Sequence, residues 1–329
     1  MSVATLHVAE TGIPGQQTRD GDAFPLVLEC RSPGIGLGAV TAAFAAHAGE
    51  LIDRAARHGA VLFRGFPVAT ADDFDAFVAA FGLPNFPYYQ SLSNAVRVNR
   101  TPRVFTANEA PPEVSIYLHH EMAQTPVYPS RLFFFCEQPA TTGGATPICR
   151  SDVLWERLSE RCAYFCRDLE AKGLRYSHVM PPTDDATSGM GRSWQSTLRA
   201  DSPANAERLL SELGYSWEWL PDGSLRATTP TLPAVRRLSN GRTSFFNQLI
   251  AASRGWKSDQ TDPITYGDGS PLDRSGVAEA ARLGDELAFD IPWQKGDVVL
   301  VDNFVTMHGR RTFTGTRKVL ASLIAADRG

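Results

Sequence analysis

A histidine and a glutamate two residues apart, His119 and Glu121, and a single histidine far downstream, His308, constrain this chain more than any other feature. Alternate side chains of an extended segment point to the same face. Over residues 114–121 that rule puts Val114, Ile116, Leu118 and His120 on one face. Ser115, Tyr117, His119 and Glu121 lie on the other. His119 and Glu121 therefore converge, and His120 points away. A second histidine from a distant strand, His308, completes a two-histidine, one-carboxylate facial triad, the donor set of a mononuclear iron(II) site with open coordination positions. Whatever the fold is, it has to bring the strand end near residue 120 to the neighbourhood of residue 308.

Each member of that triad has a plainer explanation. A lone histidine is usually a hydrogen-bonded structural residue, and His-x-Glu recurs by chance. The surrounding set changes the balance: His308 follows a strand bearing Asp302, and Arg317 comes nine residues after it. Oxygen activation at iron(II) needs two electrons beyond those of the substrate, which 2-oxoglutarate commonly supplies. Its far carboxylate calls for a permanently charged, forked partner, a role arginine fills better than lysine. A threonine hydroxyl can donate a second hydrogen bond to it.

The remaining pattern is one of short strands with peripheral helices. Helical spacing of apolar residues marks 40–57, 71–81 (with Thr70 as cap), 151–172 (with Ser151 as cap), 204–213 and 275–287. Apolar strands are expected at 60–65, 131–136, 241–247, 297–301 and 317–324, the last two flanking a loop that carries His308. A glycine turn at Gly143-Gly144 leads into a strand at Thr146-Pro147-Ile148. Residues 1–22 read as a loosely held lead-in to a single domain over 23–329. Residues 173–237, rich in Gly, Pro, Trp and charge, read as a mostly loop-like lid or insertion. His178 in it is either a metal or substrate contact or a structural residue.

Composition excludes several classes of function. The 329 residues are 43% hydrophobic and 21% charged with a net charge of -4, which gives no electrostatic reason to expect nucleic acid or an anionic membrane. The N-terminal residues lack the basic start and apolar core of a signal peptide. No apolar run approaches the roughly 20 residues of a membrane helix. Five cysteines, Cys30, Cys136, Cys149, Cys162 and Cys166, are too sparse for a disulfide framework and fit a reducing, cytoplasmic setting.

Taken in order, Leu118-His119-His120-Glu121-Met122, Leu132 to Cys136, Gly143-Gly144-Ala145-Thr146-Pro147, Phe246-Asn247-Gln248, Tyr266 to Pro271, Gly296-Asp297, Asp302-Asn303 and His308-Gly309-Arg310-Arg311 resemble the iron(II)- and 2-oxoglutarate-dependent dioxygenases of the taurine dioxygenase and clavaminate synthase-like superfamily. The branch with the syringomycin-pathway aspartyl hydroxylase is the most similar, over about residues 50–325. The resemblance implies His119, Glu121 and His308 as iron ligands, and Thr146 and Arg317 as the 2-oxoglutarate contacts. It implies Arg192, Trp194 and Asn247 as residues facing the substrate cavity, the alternative for these three being core or lid packing. The chain departs from the family in two places. His120 stands where asparagine is frequent, and Ala321 where many relatives have a second arginine. Glu121 fills the position that halogenating relatives vacate for chloride.

The expected architecture is mainly β with flanking helices (α+β). Its core is a double-stranded β-helix (jelly-roll, cupin-like) with a long insertion, which brings both halves of the triad to one open end. The expected activity uses Fe(II), 2-oxoglutarate and O2 to hydroxylate an unactivated C–H bond of an amino acid or similar small polar acid, free or tethered to a carrier protein, in specialised metabolism. Desaturation, cyclisation or epoxidation would use the same residues. The rivals are a non-catalytic cupin-like metal-binding protein, which gives Thr146 and Arg317 no joint role, and a jelly-roll metal hydrolase or isomerase without an oxidant. Nucleic-acid and membrane partners are not expected, and a homo-oligomer is left open.

Overall fold

The computed structural model describes residues 5–107, 110–185, 191–255 and 262–328. Its centre is two β-sheets packed face to face. The larger has seven strands in the order Val8–Glu10, Leu26–Cys30, Ala60–Arg64, Val298–Asp302, Val127–Gln138, Lys318–Arg328 and Phe105–Thr106. All its pairings are antiparallel except Leu26–Cys30 with Ala60–Arg64. The smaller has four strands in the order Phe289–Ile291, Thr146–Arg150, Thr306–Arg310 and Ile116–His119.

Strand periodicity explains the layering. In Val298–Asp302, Val299 and Val301 turn inward against Ile148, Phe289 and Ile291 of the smaller sheet. Val298 and Leu300 turn outward to the helices Leu37–Ala46, Ala48–His58 and Ala71–Ala79. The neighbouring apolar strand divides in the same way, with Leu132 and Phe134 inside and Phe133 and Phe135 outside. A sheet buried on both faces needs such an unbroken apolar run. The outer face of the smaller sheet, with Leu118, Cys149 and Met307, is covered by the helices Ser151–Arg161, Ala163–Lys172, Leu249–Gly255 and Arg274–Leu287. The result is a two-sheet jelly roll wrapped by helices. No helix among the described residues is long and apolar enough to cross a membrane, and the five cysteines are free thiols.

Several local expectations change. The helix expected over 40–57 is two helices divided at His47, and that over 151–172 is divided at Cys162, both residues having left the α region. Ser151 is the first helical residue after the N-cap Arg150, so its hydroxyl is not a cap; it turns into the core instead. Thr70 does cap its helix, in a reciprocal box with Asp73. His308 lies within a strand rather than a loop. Of 241–247 only Thr243–Ser244 is strand. The segment 1–22 contributes Val8–Glu10 to the main sheet and pairs Gln17–Arg19 with Asp22–Phe24. Within 173–237 the strands Leu174–Met180, Ser216–Trp219 and Leu225–Thr228, joined by Ile264–Tyr266, form a separate four-stranded sheet. It shares a small core of Met180, Trp194, Leu198, Leu210, Tyr215 and Leu225 with two helices. These strands are half exposed and rich in Ser, Arg, Glu and Thr, which is why they read as loop.

The pairing that positions the site is antiparallel, with His308 opposite His119 and Arg310 opposite Ile116, and a register shift between them at Gly309. A Cβ on Gly309 would stand 2.4 Å from the Ile116 carbonyl oxygen and 3.2 Å from Pro147 Cγ. Gly309→Ala should therefore push these two strands apart, lowering stability by about 1–3 kcal/mol, as overpacking does. Urea unfolding measures the first effect, and a matching loss of metal affinity measures the second. A variant as stable and as competent as the parent would show that the bulge is not what sets the spacing.

Candidate metal centre

Glu121 lies just past the end of the Ile116–His119 strand, where Met122 takes a positive φ of 58°. The convergence predicted from strand alternation survives this turn. Glu121 Oε2 is 3.3 Å from His308 Nε2 and 4.0 Å from His119 Nε2. One ligand atom from each of the three residues lies within 4.8 Å of the others. The two imidazole rings are 4.4 Å apart, and Phe134 packs against His308.

The protonation states suit a cation. His119 Nδ1–H donates to the Tyr117 carbonyl at 2.8 Å, which leaves the Nε2 lone pair facing the cluster. Burial, then the neighbouring His308, pull the His119 pKa down to about 4, so its imidazole is neutral at physiological pH. Burial alone would raise the Glu121 carboxyl, but the Arg97 charge and then His308 outweigh it and hold the group well below the usual carboxylate range. Two imidazoles and one carboxylate at a common point are the nitrogen and oxygen donors an iron(II) ion takes. His308 Nδ1 is buried and has no hydrogen-bond partner among the described residues.

His120 turns away, as alternation requires. Its Nδ1–H donates to the Asn303 carbonyl at 2.5 Å and its Nε2 lies 2.8 Å from Ser151 Oγ. Burial lowers its pKa to about 3. Asp302 is not a ligand: it pairs with Arg131 and accepts from the Phe304 amide, fixing the loop before His308.

The cavity over the cluster is lined by Arg97, Ala107, Ile116, His119, Phe134, Thr146, His308, Gly309, Arg310, Arg317 and Val319. Thr146 and Arg317 thus share it with both histidines. Arg317 donates from Nε to the Gly144 carbonyl at 2.8 Å and from Nη2 to Thr146 Oγ1 at 3.2 Å. Trp293 Nε1 also donates to Thr146 Oγ1, at 3.0 Å, so the threonine's own proton remains available to donate. Gly144 has a φ of +70°, and a Cβ there would stand 3.0 Å from Arg317 Cδ, so the glycine turn is what admits the arginine. Arg317 makes no ion pair among the described residues; burial, then Arg310, lower its pKa to about 10. Arg310 is engaged with the carbonyls of Ala110, Pro111 and Val114, and Arg311 with Asp290.

Arg192, Trp194 and Asn247 are not brought to this cavity. Arg192 donates to Ser91, Ser93 and Ser196, Trp194 packs on Trp219, and the Asn247 amide bonds the Ala234 carbonyl and the Leu249 amide. The same contacts give each a packing or loop-fixing role. Sequence reading missed Arg97, Trp293 and Asn303. The Asn303 side chain accepts from the Glu121 amide at 2.8 Å and donates to the Glu121 and Pro129 carbonyls. Its place five residues before His308 was the only available signal. Arg97 sits in an irregular segment with no periodicity to orient it.

Comparison with known proteins shows the family. A clavaminate synthase-like protein of Arabidopsis thaliana is 40% identical over 330 residues, 98% of this chain and 99% of that one. The dapdiamide synthesis protein DdaC of Enterobacter agglomerans is 28% identical over 283 residues, covering 81% and 82%. Among solved structures, PvcB of Pseudomonas aeruginosa aligns with a TM-score of 0.56 at 16% identity over 98% of this chain and 94% of its own, which speaks for the fold. A second PvcB structure, that of an Fe, alpha-ketoglutarate dependent oxygenase from an isonitrile synthetic pathway, aligns at 0.55. The family model for the taurine catabolism dioxygenase TauD, TfdA family matches residues 22–323, and the chain belongs to that family.

Proposed function

We propose that this protein is an iron(II)- and 2-oxoglutarate-dependent oxygenase whose metal is held by His119, Glu121 and His308. One observation carries the reading: a half-buried arginine with no acidic partner among the described residues, Arg317, shares a cavity and a threonine hydroxyl with a histidine–carboxylate–histidine cluster. When bound, iron(II) with 2-oxoglutarate and oxygen supplies the oxidising power to break an unactivated C–H bond, releasing succinate and carbon dioxide. The chain's own residues do the holding. Arg317 and Thr146 take the distal carboxylate of 2-oxoglutarate, one by charge and the other by its free O–H. Ile116, Phe134 and Val319 wall the cavity with apolar surface, and excluding water strengthens each polar contact inside it.

The substrate class follows from the relatives and from the charge of the cavity. A clavaminate synthase-like protein and a dapdiamide synthesis protein support a small polar acid or amino acid in specialised metabolism. Three arginines against one glutamate around the cavity favour an anionic guest. It is taken free or on a carrier protein. Residues 23–329, with Val8–Glu10 added to their main sheet, act as one catalytic unit in the cytoplasm, with 173–237 as its lid. Glu121 in the cluster favours oxygenation over halogenation, because the protein-ligand position that halogenating relatives vacate for chloride is filled.

His119→Ala, Glu121→Ala and His308→Ala should each abolish binding of one iron(II) per chain, measured by metal analysis after anaerobic loading. His120→Gln should keep it. The opposite pattern at 119 and 120 would mean that the wrong histidine carries the metal. For the co-substrate, Arg317→Lys keeps the charge and loses the fork. Anaerobic calorimetry should show 2-oxoglutarate binding weakened by about 1.5–3 kcal/mol, the worth of a charged hydrogen bond. Unchanged affinity would move the clamp to another basic residue.

A further inference from the structure

Glu121 has two carboxylate oxygens, and the structure treats them differently. Oε1 accepts a hydrogen bond from Arg97 Nη2 at 2.8 Å, while Oε2 faces the two histidines. Arg97 is itself held: its guanidinium lies over the rings of Tyr88 and Phe105, 4.7 and 5.3 Å from their centroids, and its side chain is 8% exposed. The Glu121 main chain is fixed as well, by reciprocal hydrogen bonds with the Asn303 amide. With its backbone and one oxygen immobilised, the residue has a single oxygen left to offer.

We propose that Arg97 is a positioning residue that confines Glu121 to one metal-binding oxygen. The inference rests on the assignment of His119, Glu121 and His308 as ligands. Its consequence is a count. A carboxylate that binds through both oxygens fills one more coordination position than a carboxylate that binds through one. Two imidazoles and one oxygen leave three of six positions open, and two imidazoles and a chelating carboxylate leave two. An enzyme that must seat a chelating co-substrate and still keep a reactive position needs the third. Arginine suits the task because its charge is permanent and its planar fork, stacked on two rings, cannot swing with the carboxylate. The pairing also neutralises Arg97 in a place where an unpaired buried charge would be costly.

The test counts exchangeable waters on manganese(II) bound to the full-length protein, by paramagnetic relaxation of solvent protons, in the parent, Arg97→Met and Arg97→Lys. The parent should bind one manganese(II) and show three exchangeable waters. Arg97→Met should bind the metal and show two, so that relaxivity per bound metal falls to about two-thirds. Arg97→Lys restores a charged donor and should return towards three. A parent with two waters overturns the proposal whether or not the variants fold, and so does an Arg97→Met protein that binds metal and keeps three. Loss of manganese(II) from both variants with unchanged melting temperature also overturns it, because Arg97 would then be required for the carboxylate to reach the metal at all. Failure of the parent to bind manganese(II) would remove the ligand assignment itself, and the proposal with it.

Discussion

The structure depends on one strand pairing. His119 and His308 are far apart in the chain, and the antiparallel register of Ile116–His119 against Thr306–Arg310 sets them opposite each other. A slip of one residue in either strand would turn its histidine to the other face of the sheet, away from its partner. The flanking apolar residues prevent that slip. Leu118 and Met307, next to the two histidines, are buried against the outer helices, so the register that buries them is the register that joins the histidines over the cavity. Core packing and site geometry are therefore a single constraint.

Around that pairing, buried polar groups take up the positions a pure jelly-roll core would leave apolar. Asn303, His120 and Ser151 tie the end of the Val298–Asp302 strand to the turn after His119 and to the first helix of the outer layer. Each contact is satisfied, and a satisfied buried network fixes geometry. Arg97 and Arg317 both line the cavity over the histidine–carboxylate cluster and have different partners. Arg97 pairs with the Glu121 carboxylate, whereas Arg317 has no acidic partner among the described residues, which fits its proposed role of taking a carboxylate from solution. The Gly144 turn and the Trp293 donor prepare Thr146 and Arg317 before any ligand arrives.

Much of this was legible in the sequence because strand alternation is a strong rule over short distances. The direction of His119 and the opposite direction of His120 followed from it, and the unbroken apolar run at 131–136 marked a strand whose two buried faces the structure then showed. The Gly143-Gly144 turn was legible as a turn leading into the Thr146 strand; its close approach to Arg317 came from the structure. What could not be read was whatever lay outside regular periodicity. Arg97 comes from an extended, aromatic-lined segment with no repeat to orient its side chain. The sheet between residues 174 and 228 is built of short, half-exposed strands whose composition is that of a loop. Arg192, Trp194 and Asn247 were legible as residues of the right segments, but backbone carbonyls, a second indole and a helix start hold them, and chain position alone cannot tell those partners from a cavity.

An anomalous-scattering structure of the protein with manganese(II) and 2-oxoglutarate bound under anaerobic conditions tests the central claim most directly. One metal peak is expected within coordination distance of His119 Nε2, His308 Nε2 and Glu121 Oε2, with the distal carboxylate of 2-oxoglutarate on Arg317 and Thr146. A peak at His120, or a 2-oxoglutarate whose distal carboxylate lies on Arg310 or Arg311 instead, would contradict it.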